Sequence, residues 1–458
     1  MMPFEGIGEF GDARRAARGA WLFERIVATG SLILRKIGGD RAGEIAAHRF
    51  LDAPQVGAGE IIETLARRTG ETCRGRRVIV AQDTTEINFS GRSGARRGLG
   101  PAGDGKTPGF FLHAAVAVDV ADEAVVGLLD AAVWTRRAGR VGARRKRALA
   151  EKESQRWLST TQVVAERAAE ASQVIVVGDR ESDIFALFAR RPPSVELLVR
   201  AAQDRALAKP APAKAGGTRL FACTAAWPVL GHGEVKIGPR GPGDKGRLAQ
   251  VSLRAGAVRI AKPRNGADRS DPRSLELTLV EVREEQPPPG LDPIHWRLIT
   301  TLPANDLAAA QEIAQFYRLR WRIEQTFRAC KNDGLGLPDL QTHEAGRLFK
   351  MAALALGAAV RTIQLVDARD GGDRPGSEVA EPAVLQAAAA IGPTLEGKTQ
   401  RQKNPHPAGS LPWLAWIVAR LGGWNCYYKP PGPKTMRAGW DKLAAMTAGF
   451  HIAMSVRH

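Results

Sequence analysis

Cysteine is scarce in this chain, with four in 458 residues, and Cys73, Cys223, Cys330 and Cys426 lie roughly a hundred residues or more apart. None has the close neighbour that a zinc site requires, and the count is too low for a disulfide framework, so reduced structural thiols are expected. Acidic residues are also in deficit. Against 66 Lys and Arg stand 48 Asp and Glu, a formal charge of +18 with a pI near 10.3. Such a surplus suits a polyanionic partner, because each neutralised phosphate releases counterions. The chain is also rich in Ala, Gly, Arg and Pro, as GC-rich coding DNA produces, and that bias supplies a share of the arginine. No run of about 18 apolar residues occurs, and the opening Met-Met-Pro-Phe-Glu-Gly is neither basic nor followed by an apolar core. A membrane span and a secretory leader are therefore not expected, and a cytoplasmic location is. No tandem repeat is apparent.

What is present divides into segments. The length exceeds one ordinary core, so two or three domains are expected. Residues 1–70 read as helical, with Asp12 as an N-cap, a helix through Ala16 to Thr29 and another over Ala42 to Leu51. The apolar run from Arg76 to Gln82 reads as a buried strand ending in Asp83. Two further strands, Gly109–Val118 and Ala124–Trp134, complete an antiparallel meander. A charged helix from about Arg144 to Glu170, strand Val174–Val177, a short helix Ser182–Ala189 and strand Val195–Arg200 follow. The order β-β-β-α-β-α-β is that of an RNase H-like core. Residues 203–295 break the pattern with short strands at Val251–Arg254, Val258–Ile260 and Leu275–Val282, a β-rich insertion. An apolar helix, Leu348–Leu365, and a Gly/Asp/Pro-rich segment, Asp367–Pro382, then lead to a C-terminal part. That part contains the run Leu421-Gly-Gly-Trp424 and Tyr428-Lys-Pro-Pro-Gly-Pro433, and ends in a helix near Trp440 to Ala448. The fold class is α/β: an RNase H-like catalytic domain over 71–365 with an insertion at about 203–295, flanked by helical regions at 1–70 and 366–458.

The stretch from Tyr317 to Lys331 carries the densest chemistry. At about 100° per residue, Tyr317, Arg320, Glu324 and Lys331 fall within a sector of roughly 60° on one helix. Charges on a core-facing or cleft-facing stripe are retained where they bind a metal, a phosphate or each other, whereas a solvated face carries incidental pairs. The spacing Y-(2)-R-(3)-E-(6)-K resembles the signature of the insertion-sequence-four family of bacterial DDE transposases. Further short matches occur in order: Phe10–Arg15, His48–Val56, Gln82–Thr85, Lys152–Trp157 and Gly178–Asp183, extending to about Leu340.

The resemblance implies a cut-and-paste DNA transposase acting on double-stranded DNA, both the inverted-repeat ends and the target, as a homodimer and in association with the nucleoid. It implies an N-terminal region that binds the transposon end, for which Arg14, Arg15, Arg18, Arg35 and Lys36 are candidate phosphate contacts, and a C-terminal region for dimerisation and synapsis. Asp83, Asp179 and Glu324 are the candidate catalytic acids and metal ligands. Three clustered carboxylates repel one another unless hard divalent cations neutralise them, so two Mg²⁺ ions per site are expected, with Mn²⁺ as a substitute. Such ions activate a water or a 3′-hydroxyl for in-line attack on a phosphodiester. Arg320, Lys331 and Tyr317 are the expected phosphate contacts. Arg180 and Arg200 are further DNA-binding candidates. Trp296, 21 residues before Tyr317, takes by resemblance the place of an aromatic on which a base flipped from the hairpin end stacks, and Trp321 lies within the signature. Trp296 alternatively closes the core of the insertion. Asp183 reads equally as support for Asp179 and as a helix N-terminal acid. Two other functions remain open: a catalytically silent transposase-derived DNA-binding protein or inhibitor, and a stand-alone RNase H-like nuclease.

Overall fold

The computed structural model describes residues 6–89, 98–136, 154–208, 219–238, 246–265, 267–331 and 335–456, with side chains through residue 450. The chain opens with α1 (Ala13–Thr29), α2 (Leu34–Gly38), α3 (Arg41–Asp52) and α4 (Ala58–Thr72). Strands β1 (Arg77–Asn88), β2 (Gly100–Pro101), β3 (Pro108–Asp119) and β4 (Val125–Trp134) follow. Next come α5 (Gln155–Arg167), β5 (Gln173–Gly178), α6 (Phe185–Ala189), β6 (Val195–Arg200) and the short α7 (Leu220–Cys223). Strands β7 (Gly231–Ile237), β8 (Arg247–Ala261), β9 (Ser274–Glu284) and β10 (His295–Thr300) precede α8 (Leu307–Leu319) and α9 (Trp321–Lys331). The chain continues through α10 (Ala345–Ala368), α11 (Pro382–Ile391), α12 (Leu411–Leu421) and α13 (Pro433–Val456). This is a mixed α/β protein.

Two compact units share the chain. A sheet unit takes residues 73–83 and 139–323; a helical unit takes 1–72, 84–138 and 324–458. Strand β1 and helix α9 each run from the first unit into the second. In the sheet unit the strand order is β1-β5-β6-β10-β9-β8-β7. The first three strands are parallel, as the intervening helices α5 and α6 require, and the rest pair antiparallel. The insertion strands thus extend the same sheet from its β10 side. Sequence fragments Val251–Arg254 and Val258–Ile260 belong to one strand, β8, because the intervening Gly256 forms no turn. The Trp227 indole lies where a Cβ on Gly256 would point, 2.9 Å away, so glycine there makes room for an aromatic.

In the helical unit, Asp12 caps α1 by accepting from the Arg14 N–H, and Gly30, left-handed at φ 56°, closes it. Strands β3 and β4 pair antiparallel, Phe111 opposite Trp134 with their rings stacked. Helix α10 is long and apolar enough to cross a membrane, but 83% of its most apolar window is buried inside the protein, so it is a core helix. The segment expected as a linker after it is packed: Arg374 is buried, bonding Glu378 and the Val125 carbonyl. The last helix begins at Pro433, well before Trp440, with proline in its first turn where the missing N–H has no cost. Of the helix expected over Arg144–Glu170, residues before 154 lie outside the described ones; the remainder forms α5.

Candidate active site

Sheet register brings the first two acids together. Strands β1 and β5 pair parallel from Arg77 opposite Gln173 to Ala81 opposite Val177. Two residues further on stand Asp83 and Asp179. Paired positions share a face and alternate every two residues, so both carboxylates leave the same face from adjacent strands, which lie about 4.8 Å apart. Strand β1 runs on to Asn88, so Asp83 does not end it; burial ends there instead, since Val78–Gln82 are buried and Asp83 is partly exposed. Asp179 lies one residue past β5 and remains extended at φ −83°, ψ −162°. Across β5, Gly178 pairs with Val199, which brings Arg200 level with Asp179 on the third strand. Arg200 in turn pairs with Leu298 of β10, and Trp296, two residues before Leu298, projects on the same face. The row Asp83, Asp179, Arg200, Trp296 is thus set by backbone pairing.

Helix α8 crosses this face. Arg77 bonds Glu312 through both Nη atoms, at 2.5 and 3.1 Å, and its guanidinium lies 4.7 Å from the centre of the Phe316 ring. One turn beyond, the buried Tyr317 ring meets Trp296 edge-on, centroids 4.9 Å apart. Burial raises the Tyr317 phenol above its ordinary value; Arg320 and Arg200 oppose the rise, and the Asp179 charge adds to it. The same phenol hydrogen-bonds with Arg200, whose Nη2 also donates to the His295 carbonyl at 3.1 Å. Burial, followed by the repulsion of Arg180 and Arg320, lowers the Arg200 guanidinium below its usual range. Arg320 Nη1 stands 3.1 Å from Asp83 Oδ2, both side chains largely buried. The signature is not one uninterrupted helix: α8 stops at Leu319 and α9 starts at Trp321. At the junction the Arg320 N–H bonds back to Tyr317 O and the Ile323 N–H to Arg320 O, three-residue steps that tighten the turn. The single stripe expected for all four signature residues is accordingly interrupted at Arg320.

The turn that carries Asp179 is independently fixed. Its carboxylate accepts from the Glu181 N–H at 2.8 Å, and the Ser182 hydroxyl donates to its carbonyl at 2.7 Å. Asp183, whose role the sequence left open, is a structural pin. Fully buried, it accepts from the Ala202 and Gln203 N–H groups and from Arg205, holding the chain that leaves β6 just beyond Arg200. The partner Arg205 carried no distinctive spacing and was not anticipated. Arg180 is exposed in the same turn. Trp321 is half-buried beside Gly238. Glu324, in the first turn of α9, and Lys331, its last residue, belong to the helical unit and are both partly exposed.

Asp83 and Asp179 provide hard oxygen donors that suit Mg²⁺. In this structure the cation beside Asp83 is the Arg320 guanidinium. Among the described residues no group of three or more His, Cys, Asp or Glu side chains is gathered closely enough to hold a metal ion. None of the four cysteines is in a disulfide; Cys330 is fully buried, which pushes it up to about 12.

Residues 134–361 match the family model of the transposase DDE domain, a stretch that contains Asp179 and Glu324 and begins after Asp83. That match, joined to two acids presented on adjacent parallel strands beside a cluster of arginines, supports a DDE transposase.

Proposed function

We propose that the chain is a cut-and-paste transposase that cleaves DNA at transposon ends and joins them to a target. The observation that carries this reading is the β1–β5 register, which aligns Asp83 with Asp179. Asp83, Asp179 and Glu324 would hold Mg²⁺, with Glu324 assigned from the signature spacing. The ions, when bound, supply a nucleophile activated at neutral pH and charge stabilisation for in-line phosphodiester attack.

The chain's own residues do the remaining work. Tyr317 and Arg200, joined by a hydrogen bond, present a phenol and a guanidinium that orient a phosphate, and Arg320 adds a second cation once it leaves Asp83. Arg180 and Lys331 extend the phosphate contacts. Trp296, partly exposed on the same face, offers a ring for an extrahelical base at a hairpin end. The hairpin route, the homodimer and the membership of the insertion-sequence-four family, with a resemblance to the transposase of transposon five, complete the proposal. The Asp83–Arg320 pair favours one second reading, a catalytically silent DNA-binding descendant in which arginine permanently replaces the metal.

One experiment separates them. The purified protein and its Asp179→Ala variant are incubated with Mg²⁺ and a plasmid carrying the gene's flanking DNA, and products are resolved on denaturing gels. Paired double-strand breaks with hairpin-sized strands, made only by the unmutated protein, are expected. End binding without cleavage by either protein establishes the silent reading, and cleavage indifferent to Asp179 removes the acid from the mechanism.

A further inference from the structure

The helical unit contains a cavity of about 460 Å³ among its C-terminal elements, lined by Arg369, Arg401, Lys403, His406, Trp416 and Trp424 and, among the described residues, by no carboxylate. Arg401 and Lys403 are exposed, and among the described residues neither forms an ion pair. Arg369 is braced by the Pro431 carbonyl and Asp370. Trp416 is buried, with the Arg420 guanidinium 5.7 Å from its ring centre. The same Arg420 anchors the Trp424 carbonyl at 2.8 Å and the Leu395 carbonyl at 3.1 Å. Trp424 is half-buried, and its Nε1 is buried without a hydrogen-bond partner.

The local sequence explains how this indole is presented. A Cβ on Gly422 would come within 2.1 Å of the Thr435 carbonyl, so glycine permits the close approach of α12 and α13. Gly423 at φ 92° and Cys426 at φ 71° are left-handed on either side of the ring. Tyr427 bonds Thr399 at 2.7 Å, tying this turn to the segment that carries Arg401 and Lys403. A partly exposed indole ring beside two exposed cations selects an anionic ligand with a flat ring.

We propose that this cavity takes one nucleotide of an unpaired DNA strand, its phosphate on Arg401 and Lys403 and its base against Trp424. The volume lies within the range of about 300–1,000 Å³ for small-ligand sites. Duplex DNA would offer the cations its phosphates but not a base face, which makes preference for the unpaired strand the distinguishing property. The polymer is taken from the transposase reading and the ligand chemistry from the cavity. Failure of cleavage and failure of this site are therefore separate results.

The test measures binding of the full chain to a short fluorescent single strand, to the same sequence as a duplex and to a deoxynucleoside monophosphate, at fixed salt. It compares the unmutated protein with Arg401→Gln/Lys403→Gln and Trp424→Ala, each checked for an unchanged melting transition. Single-strand affinity should fall about tenfold in each variant, while duplex affinity falls by less in the double variant and stays within about twofold in the Trp424 variant. A halogenated-uracil strand should photo-crosslink to the peptide containing Trp424. Equal loss of single-strand and duplex binding would reduce the cavity to a general basic patch. Unchanged single-strand binding in the double variant, or a crosslink confined to other peptides, overturns the proposal, as does monophosphate binding as tight as the oligonucleotide's.

Discussion

On the proposed function, Arg320 would serve two states of the site. Its guanidinium pairs with Asp83 at 3.1 Å, both groups less than one-fifth exposed, so the carboxylate is neutralised by the protein itself. On the proposed function, a divalent cation at Asp83 would have to displace that pair, and the freed arginine would then be available to a phosphate. Arg320→Ala should therefore bind Mn²⁺ more tightly by calorimetry yet lose DNA cleavage, and in EDTA it should be less stable by about 1–3 kcal/mol. Unaltered Mn²⁺ affinity would show that arginine and metal do not compete. Tyr317 gives a pH signature. Its folded pKa is raised by burial above the unfolded value near 10. The phenol thus contributes stability that is present below that value and is lost as pH rises through the folded one. Urea unfolding across the alkaline range should show a steeper loss for the unmutated protein than for Tyr317→Phe, and identical slopes would contradict the raised value.

The elements teach why some of the site was legible and some was not. Asp83 and Asp179 stood out because an apolar run ends at each, and burial does end there; the register that aligns them is a pairing property no single segment encodes. Asp12 capped its helix as expected because capping is local. The break between α8 and α9 was illegible, since Arg320 has ordinary helical dihedrals (φ −51°, ψ −29°) and the interruption lies in hydrogen bonding alone. Likewise, β8 ran through Gly256 because a distant Trp227 fills the space above it. Gly178 is the element-scale test. A Cβ there would stand 2.2 Å from the Ser182 hydroxyl and 3.2 Å from the Trp157 ring, so any side chain pushes on the turn that carries Asp179. Gly178→Val should cost about 1–3 kcal/mol in denaturant unfolding and lower the cleavage rate by about 10²-fold in the fraction that remains folded. A folded variant with full activity would show that the turn tolerates displacement of the acid.

Over the whole molecule, the +18 charge gains its meaning from where it is left uncompensated. In the helical unit, α1, α2 and α3 enclose a groove of about 770 Å³ lined by Arg14, Arg15, Arg18, Arg49 and Trp21. The one acid on its wall among the described residues, Asp40, is engaged in capping α3 by accepting from the Gly43 N–H. Arg15 Nε bonds only a neutral carbonyl, that of Phe10, and Arg18 lies 5.5 Å from the centre of the Trp21 ring, so the cationic charge is retained. Codon bias would scatter arginines without regard to such a groove, and the two origins of the basic charge predict different salt behaviour. If these side chains meet phosphates, each contributes about 0.9 to the slope of log K against log salt concentration. Replacing Arg14, Arg15 and Arg18 with glutamine should then weaken duplex binding and flatten the slope by nearly three. If the surplus merely reflects composition, the triple variant lowers affinity slightly at low salt and leaves the slope where it was.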